Sequence, residues 1–164
     1  MADERYRRDI ERNIYVSPLR KKRWLFFFLR KEQAASSLIL RKAYALGKKI
    51  TLAGTGCEFP ASAIQGGGLR IPHLNGIIIS PVAKVGADCT IFHQVTLGIN
   101  GRKSLEVGPF LGDRVSIGAG AKIIGPVKIG NDVTIGANAV ITKDIPDGVT
   151  VVGFNKVLKA EPIR

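Results

Sequence analysis

His73 and His93 are the only histidines of this chain and its first candidates for chemistry. His73 lies in the stretch GLRIPHLNGIII (residues 68–79), where a titratable side chain precedes an apolar segment. Imidazole titrates near neutral pH, so it can accept a proton from a reacting group. A histidine outside any motif is more often a structural hydrogen-bonding residue. The surrounding sequence therefore has to decide between these two interpretations.

A six-residue repeat occupies most of the chain beyond Gly54. Aliphatic residues recur every six positions, in the runs Val85, Ile91, Leu97 and Leu111, Ile117, Ile123, Ile129, Ile135, Ile141. This period matches neither an amphipathic helix nor a simple alternating strand. It predicts a short strand followed by a tight corner, with three such units closing one triangular coil. The aliphatic side chains would then point inward and stack on one another.

The first 50 residues differ in character, since they hold fourteen Lys and Arg against five Asp and Glu. They predict two helices separated near Pro18, the second over residues 22–46 and ended by Gly47. A basic helix with Trp and Phe is typical of contact with an anionic membrane surface. Alternatively, residues 26–29 cap the coils or pack in an oligomer. The apolar run 24–29 is too short to span a bilayer.

These patterns divide the chain into a basic helical segment (residues 1–53), a repeat domain (54–157) and a tail (158–164). A polar stretch at residues 99–106 interrupts the repeat and predicts a loop excursion near residues 98–108, a feature that commonly carries function in solenoids. Cys57 and Cys89 lack the spacing of metal ligands or of a disulfide framework, which predicts a cytoplasmic location. Residues 1–9 lack the pattern of a secretory signal.

The repeat, the stretch 68–79 and the motifs AKVG (83–86) and VTLG (95–98) together resemble the hexapeptide-repeat acyltransferases. Within that family they are similar to serine acetyltransferases and to enzymes that O-acetylate polysaccharide building blocks. The resemblance covers about residues 54–156. It implies a mainly β fold, namely a left-handed parallel β-helix with an N-terminal α-helical segment. It also implies a homotrimer with active sites between neighbouring β-helices.

The same resemblance assigns catalytic roles. His73 matches the catalytic base, which would remove the proton of an attacking hydroxyl while acetyl-CoA is bound beside it, with no covalent intermediate. Gly98 would offer a backbone N–H to the oxyanion. Glu58 would orient the His73 imidazole, although the local spacing around Glu58 differs from the family pattern by one residue. A salt bridge or plain solvation is the alternative for Glu58.

Further residues are candidates for binding. His93, Asn75 and Arg102 are expected to contact the acceptor. For His93, binding of CoA or a ladder contact between coils is the alternative. Small residues would let the pantetheine arm of acetyl-CoA lie flush on the β-helix, and polar or basic ones would meet its phosphates. By resemblance these are Gly98, Gly118, Ala119, Gly136, Ala137, Thr142, Lys143 and Lys156. No metal is implied.

The acceptor is expected to be a sugar hydroxyl of a surface polysaccharide or its precursor. Three departures from serine acetyltransferases favour this: a short helical segment, Pro72 where an Asp precedes the catalytic histidine, and Arg102-Lys103 in place of an Arg-His pair. The alternatives are a serine O-acetyltransferase and a non-catalytic scaffold. A β-helical zinc enzyme would need three histidine ligands. The basic segment lacks a nucleic-acid recognition motif.

Overall fold

The computed structural model describes residues 2–14, 19–101 and 107–158. Three helices come first: α1 (Ala2–Glu11), α2 (Leu19–Ala34) and α3 (Leu38–Leu52). Twelve short strands follow: β1 (Ile78–Ile79), β2 (Lys84–Val85), β3 (Thr90–Ile91), β4 (Thr96–Gly98), β5 (Phe110–Leu111), β6 (Ser116–Ile117), β7 (Lys122–Ile124), β8 (Lys128–Ile129), β9 (Thr134–Ile135), β10 (Val140–Ile141), β11 (Thr150–Val152) and β12 (Lys156–Leu158).

The strands form the three faces of a parallel β-helix. Their orders are β1-β4-β7-β10, β2-β5-β8 and β12-β11-β9-β6-β3, so from β1 to β10 each successive strand moves to the next face. Leu111 pairs with Ile129 and Ile117 with Ile135, so equivalent positions of these coils are 18 residues apart. Only β12 runs antiparallel to its neighbour among the described strands. Three six-residue units per coil are what the repeat predicts.

The repeated aliphatic residues form the core. Every member of both predicted runs is at most 1% exposed. Alternate residues of the strands face outward, as in Thr134–Ile135, where the threonine is exposed and the isoleucine buried. The corners use left-handed backbone at residues such as Asp132 (φ 57°) and Asn138 (φ 56°), side-chain types that tolerate this conformation better than β-branched ones.

Helices α1 and α2 close the N-terminal end of the β-helix. Leu25, Phe26 and Leu29 are fully buried in the same hydrophobic cluster as the coils. Asn13 accepts the N–H of Ile71 at 2.9 Å, one of several side-chain contacts to the first coil. The interpretation of residues 26–29 as a cap therefore describes their packing. None of the described helices is long and apolar enough to cross a membrane.

The prediction of a single second helix over residues 22–46 is wrong. The helix is interrupted at residues 35–37, where the chain reverses direction. It continues as α3, which packs along α2. Gly47 does not end a helix but lies inside α3, where an added Cβ would come within 2.5 Å of the Phe28 ring. Glycine is required there because the two helices approach closely. In the sequence, a glycine needed for packing cannot be told from one that ends a helix.

Candidate active site

The two histidines lie side by side at one corner of the β-helix. Their ring centroids are 5.5 Å apart, with the ring planes at 83°. His73 is exposed in the turn before β1, and His93 is half-buried in the turn between β3 and β4. The chain thus brings together its only two imidazole side chains from adjacent coils.

Small residues continue the line that the histidines begin. The strand register relates positions 70 to 90, 90 to 116 and 116 to 134. Three residues further along the chain, it relates His73 to His93, His93 to Ala119 and Ala119 to Ala137. Backbone bonds follow this order, since Gly120 N–H donates to the His93 carbonyl at 2.9 Å and Asn138 N–H to the Ala119 carbonyl at 2.8 Å. We call these four residues the corner row.

The histidine rings have unused polar atoms. The Nδ1 atom of His93 is buried and has no hydrogen-bond partner among the described residues. An unpaired buried polar atom is costly, so a bound molecule that pairs with it would relieve that cost. His73 forms no side-chain hydrogen bond within the described residues, which leaves its imidazole open on the solvent side.

A lysine of helix α2 forms a hydrogen bond to the turn that carries His73. The Nζ atom of Lys22, a fully buried residue of α2, donates to the carbonyl of Pro72 at 2.9 Å. Burial, with a smaller effect from the charge of Arg70, lowers the pKa of Lys22 to about 8. The sequence gives no signal for this contact, because Lys22 lies within a run of basic residues that suggests a solvated helix face.

Glu58 and Asn75 lie near the histidines in different ways. Asn75 is exposed in the same turn as His73, and its carbonyl accepts the N–H of Gln94 at 2.9 Å. Glu58 bridges to Ile78 in the first coil, and its side chain is exposed beside Lys48 and Lys49 of α3. Neither a hydrogen bond nor an ion pair joins Glu58 to His73 within the described residues. Its predicted role in orienting the imidazole stays a prediction.

Gly98 and Arg102 belong to the start of the loop excursion. Gly98 is in register with Ile124 of β7, and its carbonyl accepts the N–H of Gly125 at 2.9 Å. In a parallel ladder this register directs the Gly98 N–H at the carbonyl of the residue before Ile124. Arg102 lies outside the described residues.

The predicted coenzyme residues occupy two places. Gly118 and Gly136 precede the small members of the corner row, and a Cβ on Gly118 would meet the Ala137 nitrogen at 2.5 Å, so glycine lets the next coil pack closely there. The exposed residues Thr142, Lys143 and Lys156 lie at the last coils. There the Thr142 hydroxyl accepts a hydrogen bond from Asn155 at 2.8 Å, directly before Lys156.

Comparison with known proteins identifies relatives by sequence. The family model for bacterial transferase hexapeptide (six repeats) matches residues 108–143. A serine acetyltransferase of Mycobacterium tuberculosis is 48% identical over 99 residues, which are 60% of this chain and 43% of that protein. One from Helicobacter pylori is 42% identical over 122 residues, 73% of this chain and 71% of that protein. The chain thus spans less than half of the first relative.

Solved structures give the same result. The Neisseria gonorrhoeae serine acetyltransferase matches with a TM-score of 0.80 and 25% identity, over 99% of this chain and 66% of that one. The soybean serine acetyltransferase complexed with serine matches with a TM-score of 0.75 and 26% identity, over 96% and 69%. These likenesses confirm the predicted left-handed parallel β-helix with N-terminal helices.

The same relatives overturn the expected acceptor. A sugar hydroxyl of a surface polysaccharide was inferred from Pro72, the Arg102-Lys103 pair and a short helical segment, but the named relatives, up to 48% identical, are serine acetyltransferases. Isolated differences show which groups are missing and not which molecule binds. With a relative 42% identical over 71% of its length, this chain belongs to the hexapeptide-repeat transferase family of the serine acetyltransferases.

Proposed function

We propose that this chain is a serine O-acetyltransferase that uses acetyl-CoA. The corner row is the observation that carries the proposal, because it joins a pair of histidines to a strip of small residues. His73 is the only member of the pair whose imidazole is exposed. A base beside a flat channel suits transfer between two molecules bound at once.

In the proposed reaction the serine hydroxyl oxygen attacks the thioester carbonyl carbon. His73 accepts the hydroxyl proton as the new carbon–oxygen bond forms. The tetrahedral intermediate then collapses, the carbon–sulfur bond breaks, and the departing thiolate takes up the proton. The products are O-acetylserine and the free thiol of CoA. His93, Asn75 and Arg102 would contact serine.

Acetyl-CoA would lie along the remaining corner row. Ala119 and Ala137 carry only methyl side chains, which would leave room for the pantetheine arm close to the backbone. Gly118 and Gly136 lie beside them in the chain. Thr142, Lys143 and Lys156 would meet the phosphates at the far end, where lysine ammonium groups complement their charge. Gly98 as oxyanion donor stays a prediction from resemblance, because its N–H would first have to leave the ladder with β7.

The proposed assembly is a homotrimer. The corner row lies on an outer edge of the β-helix, so a neighbouring copy would enclose the substrates and exclude water. The predicted loop excursion near residues 98–108 would begin where β4 ends at Gly98. In the family that the sequence resembles, such an excursion reaches over the site of the adjacent copy, and we propose the same here. Light scattering of the purified chain gives the mass that tests this assembly.

His73→Ala tests the proposed base. We expect kcat to fall by about 10²- to 10⁴-fold, the range that a positioned base contributes, with CoA binding retained. His93→Ala should cost less, since that ring does not carry the proton. Thiol release measures turnover, calorimetry measures CoA binding, and thermal unfolding checks the fold of both variants. Near-normal turnover in His73→Ala would exclude this mechanism.

A separate assay tests the acceptor. The enzyme is incubated with acetyl-CoA and either L-serine, nucleotide sugars or oligosaccharides, and free thiol is followed. We expect release that depends on L-serine and O-acetylserine as the product detected by mass spectrometry. Release that needs a saccharide and ignores L-serine would overturn the proposed acceptor while leaving His73 as the base.

A further inference from the structure

Helix α3 exposes apolar side chains to solvent on its outer face. Ile39, Leu46 and Ile50 are 80%, 59% and 67% exposed, and their spacing of seven and four residues puts them on one face. The opposite face packs against α2 and includes the buried Lys48 and Leu52. The solvent-facing side of a surface helix is normally polar or charged. An exposed apolar stripe of this kind therefore marks an interaction surface.

Two lysines border the stripe on one side. Lys42 and Lys49 of α3 are exposed and follow Ile39 and Leu46 by three positions, whereas the exposed Arg41 lies on the opposite side of the helix. The helix contains no acidic residue. Leu38 and Leu40, 64% and 48% exposed, widen the apolar area at the start of the helix. We call Leu38, Ile39, Leu40, Leu46 and Ile50 the α3 ridge. An apolar stripe with a cationic border is the pattern of a helix that lies in a membrane interface.

An exposed indole lies near the same helix. Trp24 is 53% exposed and stacks on Phe28 with ring centroids 5.7 Å apart. Phe28 in turn lies against Gly47 of α3. Tryptophan is enriched at the level of lipid headgroups, because its ring is apolar and its N–H is polar. Trp24 therefore extends the α3 ridge with a side chain suited to that region.

Charge decides between the two occupants that an apolar ridge fits. A second copy of this chain docked ridge to ridge would bring its own Lys42 and Lys49 towards those of the first. Like charges facing one another oppose such a contact, whereas an anionic lipid surface attracts them. We propose that the α3 ridge docks this protein on anionic membrane surfaces, with α3 lying parallel to the bilayer. This docking is independent of acetyl transfer.

Vesicle flotation tests the proposal with the full-length chain. The probes are phosphatidylcholine vesicles with and without about one third phosphatidylglycerol. We expect the wild-type chain to float with the anionic vesicles only. The triple variant Ile39→Ser/Leu46→Ser/Ile50→Ser should lose about tenfold or more in partitioning, because it removes the inserted apolar area. Lys42→Glu/Lys49→Glu should lose a similar factor, and raised salt should weaken wild-type binding.

A matched control separates the ridge from general surface apolarity. Val107, Phe154 and Val157 are also exposed, at 56%, 70% and 46%, but lie outside α3. Their triple replacement by serine should leave flotation unchanged. The proposal is overturned if the α3 variants float as well as wild type, or if neutral vesicles bind equally. It is also overturned if wild type binds no vesicles while the α3 serine variant lowers the molecular mass, since the ridge would then join two copies.

Discussion

Lys22 shows how far a residue's surroundings can depart from its type. Its ammonium group is fully buried and hydrogen-bonded to the Pro72 carbonyl, the last backbone group before His73. The positive charge of Arg70 adds to the cost of burying it. A lysine in this position links the capping helix directly to the turn of the proposed base. Its protonation therefore bears on both the stability and the geometry of the site.

Lys22 should give stability a distinct pH dependence. The folded pKa is about 8, below the ordinary value of 10.5. Between these values the unfolded chain binds the proton and the folded chain does not, so the free energy of unfolding should rise with pH across this window. We expect a rise on the order of 3 kcal/mol. Urea unfolding at a series of pH values measures it.

Two variants make this test specific. Lys22→Met should remove the rise between pH 8 and 10.5, because the titrating group is gone. Lys49→Met, which replaces an exposed lysine of α3, should keep it. An identical pH profile in wild type and Lys22→Met would show that other groups control stability in this range.

At the scale of elements, the cap rests on a buried ion pair. Asp9 of α1 is 0% exposed. Its carboxylate accepts hydrogen bonds from Nε of Arg30 and from the N–H of Leu69, both at 2.8 Å. Burial outweighs these contacts and raises the pKa of Asp9. The pair thus joins α1, α2 and the third face of the first coil at one buried point.

Asp9→Ala should be strongly destabilising. It leaves the Arg30 charge buried without its partner and the Leu69 N–H without its acceptor, a loss of about 3–5 kcal/mol. Glu11→Ala is the control, since Glu11 forms an exposed pair with Arg7 at 3.4 Å that is worth at most about 1 kcal/mol. Chemical denaturation compares the two. Equal effects would mean that the buried pair adds nothing beyond an ordinary surface contact.

The elements differ in how well their sequence predicts them. The β-helix follows from a local rule, because each aliphatic residue meets its counterpart in the next coil. The helices do not, since Gly47 continues α3 for the sake of Phe28, and Lys22 is buried among residues that suggest a solvated face. His73 was found through its motif. Its neighbour His93 lies on the next coil, so their contact depends on coil length.

At the scale of the whole molecule, the hydrophobic core crosses the predicted boundary between residues 53 and 54. Leu25, Phe26 and Leu29 belong to the same cluster as the coils. Backbone groups of the first coil bond to side chains of the helices, as in the 2.9 Å contact from Ile71 N–H to Asn13. A solenoid end without its cap exposes such groups and its apolar interior. The division at residue 54 therefore separates elements by type, although helices and coils share one hydrophobic core.

Removal of residues 1–53 should consequently loosen the coils from one end. We expect a lower thermal midpoint and faster hydrogen exchange at Leu69 and Ile71, whose N–H groups bond to Asp9 and Asn13. The Gly136 N–H donates to the Val151 carbonyl in coils far from the deleted helices. This amide should keep most of its protection against hydrogen exchange. The proposed acetyl transfer should also fall, since the His73 turn loses Lys22. Unchanged exchange at Leu69 and Ile71 would contradict a structural cap, because only side chains of α1 and its following turn hold these two amides.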